Sequence, residues 1–340
     1  MGKLKGAIVG LGKMGLSHAA IVGAHPEVDM VAVCDTSSLV LEAFKKFSTV
    51  KTFTDFQKLV NETTPDFIVI ATPTKYHYPM VKLALEKGIH VFCEKPFTLI
   101  ASQGKELTEI AKRNSLVNQV GYHNQFIGTF RELKRLLAKN VLGKLVHFSG
   151  EAYGPVVTKE KGSTWRSSPE EGGGCLLDYA SHVINLIQEV IGRPEKIKGT
   201  ILKSIYSKGV EDAVYSLMML QNGLSGTLLV NWSDETYRKM STSLMVIGEK
   251  GKIICDATEL KIFLKDPSVS ETLEKGWTIK YITDFAIPVN FYLRGEEYSA
   301  QIDYFIECIR NNKPPQYNSF EQALYTDLVI EMILENAKKN

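Results

Sequence analysis

Short apolar runs separated by polar, glycine-marked breaks dominate the first third of the chain. Residues 5–10 (KGAIVG), 29–34 (DMVAVC), 66–71 (DFIVIA), 90–94 (HVFCE) and 115–121 (SLVNQVG) have strand length. Between them, residues 13–23, 38–47, 78–87 and 102–114 read as helices. In the second of these Leu39, Ala43, Phe44 and Phe47 recur at helical spacing, and Gly88 stands where a left-handed C-terminal cap belongs. Near-continuous apolar strands alternating with helices predict a parallel sheet covered on both faces, running to about residue 123.

The pattern then changes. A helix is expected over 126–140, a strand over 145–152, a loop rich in Gly, Ser, Pro and charge over 154–174, and a helix over 176–191 with Leu177, Ile184 and Ile187 on one side. Strands follow at 197–206, 213–220, 225–231, 241–247, 251–255, 260–264 and 278–282. Asn222-Gly223 between two of them is a strong hairpin signal. Helices over 299–311 and 320–338 close the chain. The expected fold class is α/β over 1–123, followed by an α+β domain over 124–340 with a large, open, mostly antiparallel sheet.

Composition narrows the function classes. At 340 residues two domains are the default, and 44% hydrophobic residues with a net charge of only +2 exclude a largely disordered chain. Forty Lys and Arg against 38 Asp and Glu, without a long basic run, argue against a nucleic-acid partner. No run approaches the roughly 18 apolar residues of a membrane span, and the N-terminus lacks the apolar core of a secretory signal. The five cysteines lie far apart at 34, 93, 175, 255 and 308. Without a CxxC pair no metal site is expected, and buried thiols in a reducing cytoplasm fit best.

Gly10-Leu11-Gly12-Lys13-Met14-Gly15 is a GxGxxG segment that directly follows one expected strand and opens one expected helix. In that context Gly10 permits the tight turn, Gly12 lets backbone approach a pyrophosphate, and Gly15 allows close helix–strand packing. Asp35 ends the next strand about twenty residues further on, where a carboxylate accepts hydrogen bonds from ribose hydroxyls. It would also repel a 2′-phosphate, and Thr36, Ser37 and Ser38 supply no arginine to hold one. NAD is therefore expected over NADP.

Further segments are Ala71-Thr72-Pro73 with His77, Glu94-Lys95-Pro96, 121–126 (GYHNQF), Trp165-Arg166 and 172–182 (GGGCLLDYASH). With GxGxxG, and in this order over essentially the whole chain, they resemble the Gfo/Idh/MocA oxidoreductases. The resemblance implies an N-terminal Rossmann NAD-binding domain, then a substrate-binding and oligomerisation domain whose open sheet builds a homodimer or homotetramer. It also implies an NAD(P)-dependent dehydrogenase or reductase acting on a CH–OH group of a sugar, inositol or nucleotide sugar.

Oxidising a secondary alcohol needs a hydride acceptor, a base and support for the developing oxyanion. Asp178 and His182, four apart on an expected helix, share one face, and histidine exchanges protons near neutral pH. The resemblance makes His182 the acid/base and Asp178 its support and a substrate contact. Lys95, at a strand end, donates to the substrate oxygen and opposes its charge; the resemblance makes it the most diagnostic catalytic residue. Glu94 is expected on the nicotinamide ribose, and Thr72, Pro73 and His77 along the cofactor's middle. Lys13 and Met14 belong to the phosphate turn. His123 and Asn124 are candidates for substrate or nicotinamide, with their roles not separable. Trp165 is a candidate to stack on a sugar and Arg166 to grip an anionic group. Tyr292, Arg294 and Tyr298 are weaker candidates to close the pocket. His18, His25, His90 and His147 carry no partner pattern. A cis Lys95–Pro96 peptide is also expected. Two other functions stay open at this level: a glycosidase using transient oxidation, and a sugar or NAD sensor without chemistry.

Overall fold

The computed structural model describes residues 2–160, 164–268 and 271–339, so part of the 154–174 loop lies outside the described residues. The chain divides into two compact units, Met1–His123 with Pro288–Leu324, and Asn124–Ile287 with Tyr325–Asn340.

In the first unit, β1 (Leu4–Val9), β2 (Val28–Cys34), β3 (Lys51–Phe53), β4 (Phe67–Ile70), β5 (His90–Cys93) and β6 (Asn118–Val120) form one sheet in the order β3-β2-β1-β4-β5-β6. Every neighbouring pair is parallel. This is the doubly wound dinucleotide-binding order, with its switch point between β1 and β4. The helices α1 (Lys13–Ala24), α2 (Ser38–Lys45), α3 (Phe56–Thr63), α4 (His77–Glu86) and α5 (Ala101–Arg113) connect the strands. Ile68, Val69 and Ile70 of β4 are all fully buried, as expected of a strand covered on both faces.

Two features of this unit depart from expectation. The β3–α3 segment went unrecognised: β3 has only three residues, none buried, and α3 buries only Leu59 and Val60. The second is a correction to the expected domain of 124–340, because residues 288–324 pack in the first unit. The reason is apolar cover: α8 (Glu296–Arg310) inserts Ile302, Phe305 and Ile306 among Ile8, Phe67, Val69 and Phe92. Phe305 meets both Phe67 and Phe92 edge to face, with ring centroids 5.8 and 5.9 Å apart.

The second unit contains α6 (Gly128–Ala138), α7 (Ser181–Val190) and an eight-stranded sheet. Its strands are β7 (Leu145–Tyr153), β8 (Pro194–Lys203), β9 (Ala213–Leu220), β10 (Ser225–Asn231), β11 (Ser241–Gly248), β12 (Gly251–Asp256), β13 (Glu259–Leu264) and β14 (Gly276–Tyr281). The order is β14-β13-β12-β11-β7-β10-β9-β8. Only β7 and β10 pair in parallel; the other neighbours are antiparallel. Asn222-Gly223 makes the β9–β10 hairpin, with Gly223 at φ +81°. Burial alternates strictly along β10 to β13, so one face packs on α6 and α7 while the other stays half-buried. The last helix, α9 (Phe320–Ala337), gives Phe320 and Ala323 to the first unit and Val329, Ile330 and Ile333 to the second.

Candidate active site

The turn after β1 has the geometry a pyrophosphate requires. Gly10 adopts φ +86°, and a Cβ there would lie 2.7 Å from the Ala71 carbonyl oxygen. A Cβ on Gly15 would lie 1.6 Å from the Gly10 carbonyl oxygen, so α1 touches β1 backbone to backbone. Gly12 differs: its φ of −66° suits any residue, and a Cβ would enter open space. Among the described residues nothing demands glycine there, whereas close approach of a pyrophosphate would. No side chain caps α1, and its first turn holds no acid, leaving Lys13 and Met14 at a positive helix end. Asp35 accepts the Leu11 N–H at 2.6 Å and the Ser37 N–H at 2.8 Å, which aims its carboxylate beside this cradle. These residues fit a dinucleotide with free ribose hydroxyls.

At the carboxyl end of β5 the Lys95–Pro96 peptide is cis, as expected. His77 is 1% exposed, and both its ring nitrogens face backbone carbonyls, Nε2 2.9 Å from that of Thr72 and Nδ1 2.9 Å from that of Pro96, to one of which a neutral ring donates. Burial holds its pKa below the ordinary value against the pull of those carbonyls. His77 therefore ties the end of β4 to the Lys95–Pro96 turn instead of lining an open surface. Thr72 and Pro73 are more open, immediately beside Gly10.

Glu94 is buried, with Oε1 2.7 Å from His18 Nε2 and Oε2 accepting the Lys95 N–H at 3.2 Å. Burial pushes its carboxyl up, but the hydrogen bond from His18 and the nearby Lys95 outweigh this and hold it below the usual carboxylate range. Gly121 leaves room for it, since a Cβ there would lie 3.0 Å from the carboxylate. His18 is thus the partner that sequence reasoning missed. The available signal was its position one helical turn after Gly15, on the face of α1 toward the sheet.

His123 stacks on Tyr298 with centroids 4.7 Å apart, and the Arg294 guanidinium lies 5.3 Å from the same ring. Burial, with Lys95 and Arg294 adding to it against Glu94, lowers the His123 pKa to about 4, so the ring is neutral at pH 7. Tyr292 is 70% exposed.

In the second unit the expected 176–191 helix begins as a π turn, Leu176–Ala180, and continues as α7. Such wide turns recur at functional sites. Asp178 and His182 are both buried. The Arg166 Nε lies 3.2 Å from Asp178 Oδ2, and the Arg166 guanidinium lies 4.2 Å from the Trp165 ring centroid. A short 3₁₀ turn, Trp165–Ser167, presents this pair, with Thr164 and Ser167 capping it reciprocally. The glycines before the helix are dictated by contact: a Cβ on Gly173 would lie 2.3 Å from the Arg166 carbonyl oxygen. Asn124 is buried, and its amide nitrogen has no hydrogen-bond partner among the described residues. Its neighbour Gln125 donates to Asn185 Oδ1 at 2.8 Å.

Among the described residues no group of three or more His, Cys, Asp or Glu is placed to hold a metal ion, and no helix is long and apolar enough to cross a membrane.

Residues 4–122 match an oxidoreductase family model described by its NAD-binding Rossmann fold, and residues 130–254 match the C-terminal domain of the same family. The fold and cradle thus belong to an NAD-dependent oxidoreductase. The two matched segments cover well over half of the chain, and it belongs to the Gfo/Idh/MocA family. It is 24% identical to scyllo-inositol 2-dehydrogenase (NAD(+)) of Bacillus subtilis (strain 168), over 95% of this chain and 91% of that one. Its fold matches levoglucosan dehydrogenase in complex with NADH at a TM-score of 0.89, with 19% identity over 99% of this chain and 97% of that one. The WlbA dehydrogenase from Bordetella pertussis, in complex with NADH and UDP-GlcNAcA, matches at 0.84 with 18% identity over 99% and 96%.

Proposed function

We propose that the protein interconverts a secondary hydroxyl and a ketone on a polyhydroxylated small molecule, an inositol or a sugar. The observation that carries this reading is Lys95, presented at the carboxyl edge of the Rossmann sheet between the His77-tied turn and Glu94, on the edge that holds the glycine cradle. Gly10 to Gly15 and Asp35 would hold NAD, which when bound accepts or returns the hydride. Lys95 donates a hydrogen bond to the substrate oxygen and opposes the negative charge that grows there. His182 takes the hydroxyl proton in oxidation and returns it in reduction. Asp178 orients substrate and histidine. Asn124, His123 and Trp165 are assigned to the substrate's remaining hydroxyls and ring face. The Arg166 charge is matched by Asp178, which supports a neutral substrate over a phosphate or uronate.

The test is formation of NADH, followed by absorbance, over inositols, free aldoses, glycosides and nucleotide sugars. Turnover of one neutral polyol class is expected. Release of an aglycone without net NADH would overturn the reading in favour of a glycosidase.

We infer also that the half-buried sheet face joins copies of the chain in the cytoplasm. Along β9, Tyr215, Leu217 and Met219 alternate with the buried Val214, Ser216 and Met218, and Leu217 is 42% exposed. Five buried cysteines, none of them in a disulfide, agree with a reducing compartment. Sedimentation as a monomer at micromolar concentration would contradict the assembly.

A further inference from the structure

The segment that carries Asp178 and His182 has no side-chain cap of its own. What holds its start comes from the segment that leads into β9. Glu211 Oε1 accepts the Leu176 N–H at 2.8 Å, and the Glu211 carbonyl accepts the Cys175 N–H at 2.9 Å. From the other side the Arg166 carbonyl accepts the Gly174 N–H at 3.1 Å, and the Gly174 carbonyl accepts the Asp178 N–H at 3.0 Å. Gly174 is pinned between these contacts at φ +106°, and a Cβ there would lie 2.5 Å from Glu211 Oε1.

The support of Glu211 is itself rigid. The next residue, Asp212, is fully buried and accepts the N–H groups of Ile205, Tyr206 and Ser207 at 2.6, 2.7 and 2.8 Å. It also accepts the Ser207 hydroxyl and the Trp232 indole N–H, each at 2.6 Å. The titratable neighbours of Glu211 are Asp212 beside it in the segment leading into β9 and Cys175 just before the π turn, both acidic in character, and burial beside Asp212 holds the Glu211 carboxyl above its usual range. A carboxylate is therefore kept in a place that disfavours its charge, where it holds the Leu176 amide together with its own.

We propose that Glu211 is a positioning residue that anchors the start of the Asp178–His182 helix and so sets the angle at which those two side chains meet the substrate. The proposal rests on the functional reading above, because the consequence of a tilt is a loss of turnover. Misplacing a reacting group by about 1 Å can cost up to about a hundredfold.

Glu211→Ala, Glu211→Asp and Glu211→Gln test it, with two readouts. Hydrogen exchange on the protein without substrate is expected to show faster exchange at the Cys175 and Leu176 amides in Glu211→Ala and Glu211→Asp, and near-parental exchange in Glu211→Gln, which keeps an acceptor oxygen in place. Turnover of the substrate found in the screen is expected to fall about tenfold in Glu211→Ala, with NADH affinity unchanged, and to recover within about threefold in Glu211→Gln. Parental exchange and kcat in folded Glu211→Ala, or Glu211→Gln as impaired as Glu211→Ala, overturns the anchor. If Glu211→Ala does not fold, Glu211→Asp against Glu211→Gln decides on the same readouts. A parent protein that oxidises none of the screened compounds defeats the functional reading instead, and the exchange arm still decides the anchor.

Discussion

In the first unit the cofactor cradle hangs on backbone; in the second the Asp178 turn hangs on side chains sent from elsewhere. The cradle follows from glycine φ angles and from β1 and α1 meeting without a Cβ between them, all within Gly10–Gly15. The Asp178 turn is held by Glu211, some thirty residues later, and by the Arg166 segment before it. A local backbone device leaves a motif readable in one line of sequence, whereas a remote side-chain device leaves single letters with no fixed spacing.

The largest effect that probes this contrast is chemical. Lys95→Ala is expected to lower kcat by about a hundredfold or more while NADH binding, followed by fluorescence titration, stays near parental, because the cradle is separate backbone. His182→Ala should match it and recover partly at high pH, where hydroxide substitutes for the base. A parental rate in either variant would remove that residue from the reaction.

A smaller effect separates the two reasons for glycine within the cradle. Gly12→Ala places its methyl in open space, so the melting temperature should hold while the NADH dissociation constant rises at least tenfold. Gly15→Ala forces a methyl against the Gly10 carbonyl, so stability and binding should fall together. Equal behaviour of the two variants would erase the distinction.

The smallest effects are in pH dependence, and the two units should respond with opposite sign. His123 stays neutral in the fold down to about pH 4, against 6.5 for a free imidazole. The unfolded chain binds the proton first, so stability is lost as pH falls from about 6.5 to about 4. Against His123→Gln, the parent should lose on the order of 2 kcal/mol over that window in denaturant titrations. The Glu211 carboxyl is raised in the fold, so there the folded state binds the proton first and stability falls as pH rises. Glu211→Gln should therefore melt at or above the parent at pH 7, with the difference gone below about pH 4.

Particular residues show how far the sequence was legible. Both ends of β9 and of β10 coincide with the apolar runs 213–220 and 225–231, because alternation and an Asn-Gly turn leave little freedom there. The β3–α3 segment was invisible because its three strand residues are polar or half-buried and α3 buries only two side chains. The π turn escaped because its residues also suit an α-helix. The His18–Glu94 pair was hidden for another reason. The residues are 76 apart, and parallel-sheet topology alone brings them to 2.7 Å.

The return of Pro288–Leu324 to the first unit has a consequence for how the protein is made. A chain leaving the ribosome presents all six parallel strands once Val120 has emerged, yet Phe67 and Phe92 then lack Ile302, Phe305 and Ile306 above them. Ile21, Val22 and Leu41 cover part of that side early, but the α8 share of the layer is delivered only after the whole intervening β-rich segment has been synthesised. During that interval the nascent nucleotide-binding half carries a partly uncovered aromatic face, the kind of surface that chaperones grip and that drives aggregation. A fragment ending near residue 123 should accordingly be poorly soluble, and supplying the α8 segment as a separate peptide should rescue it.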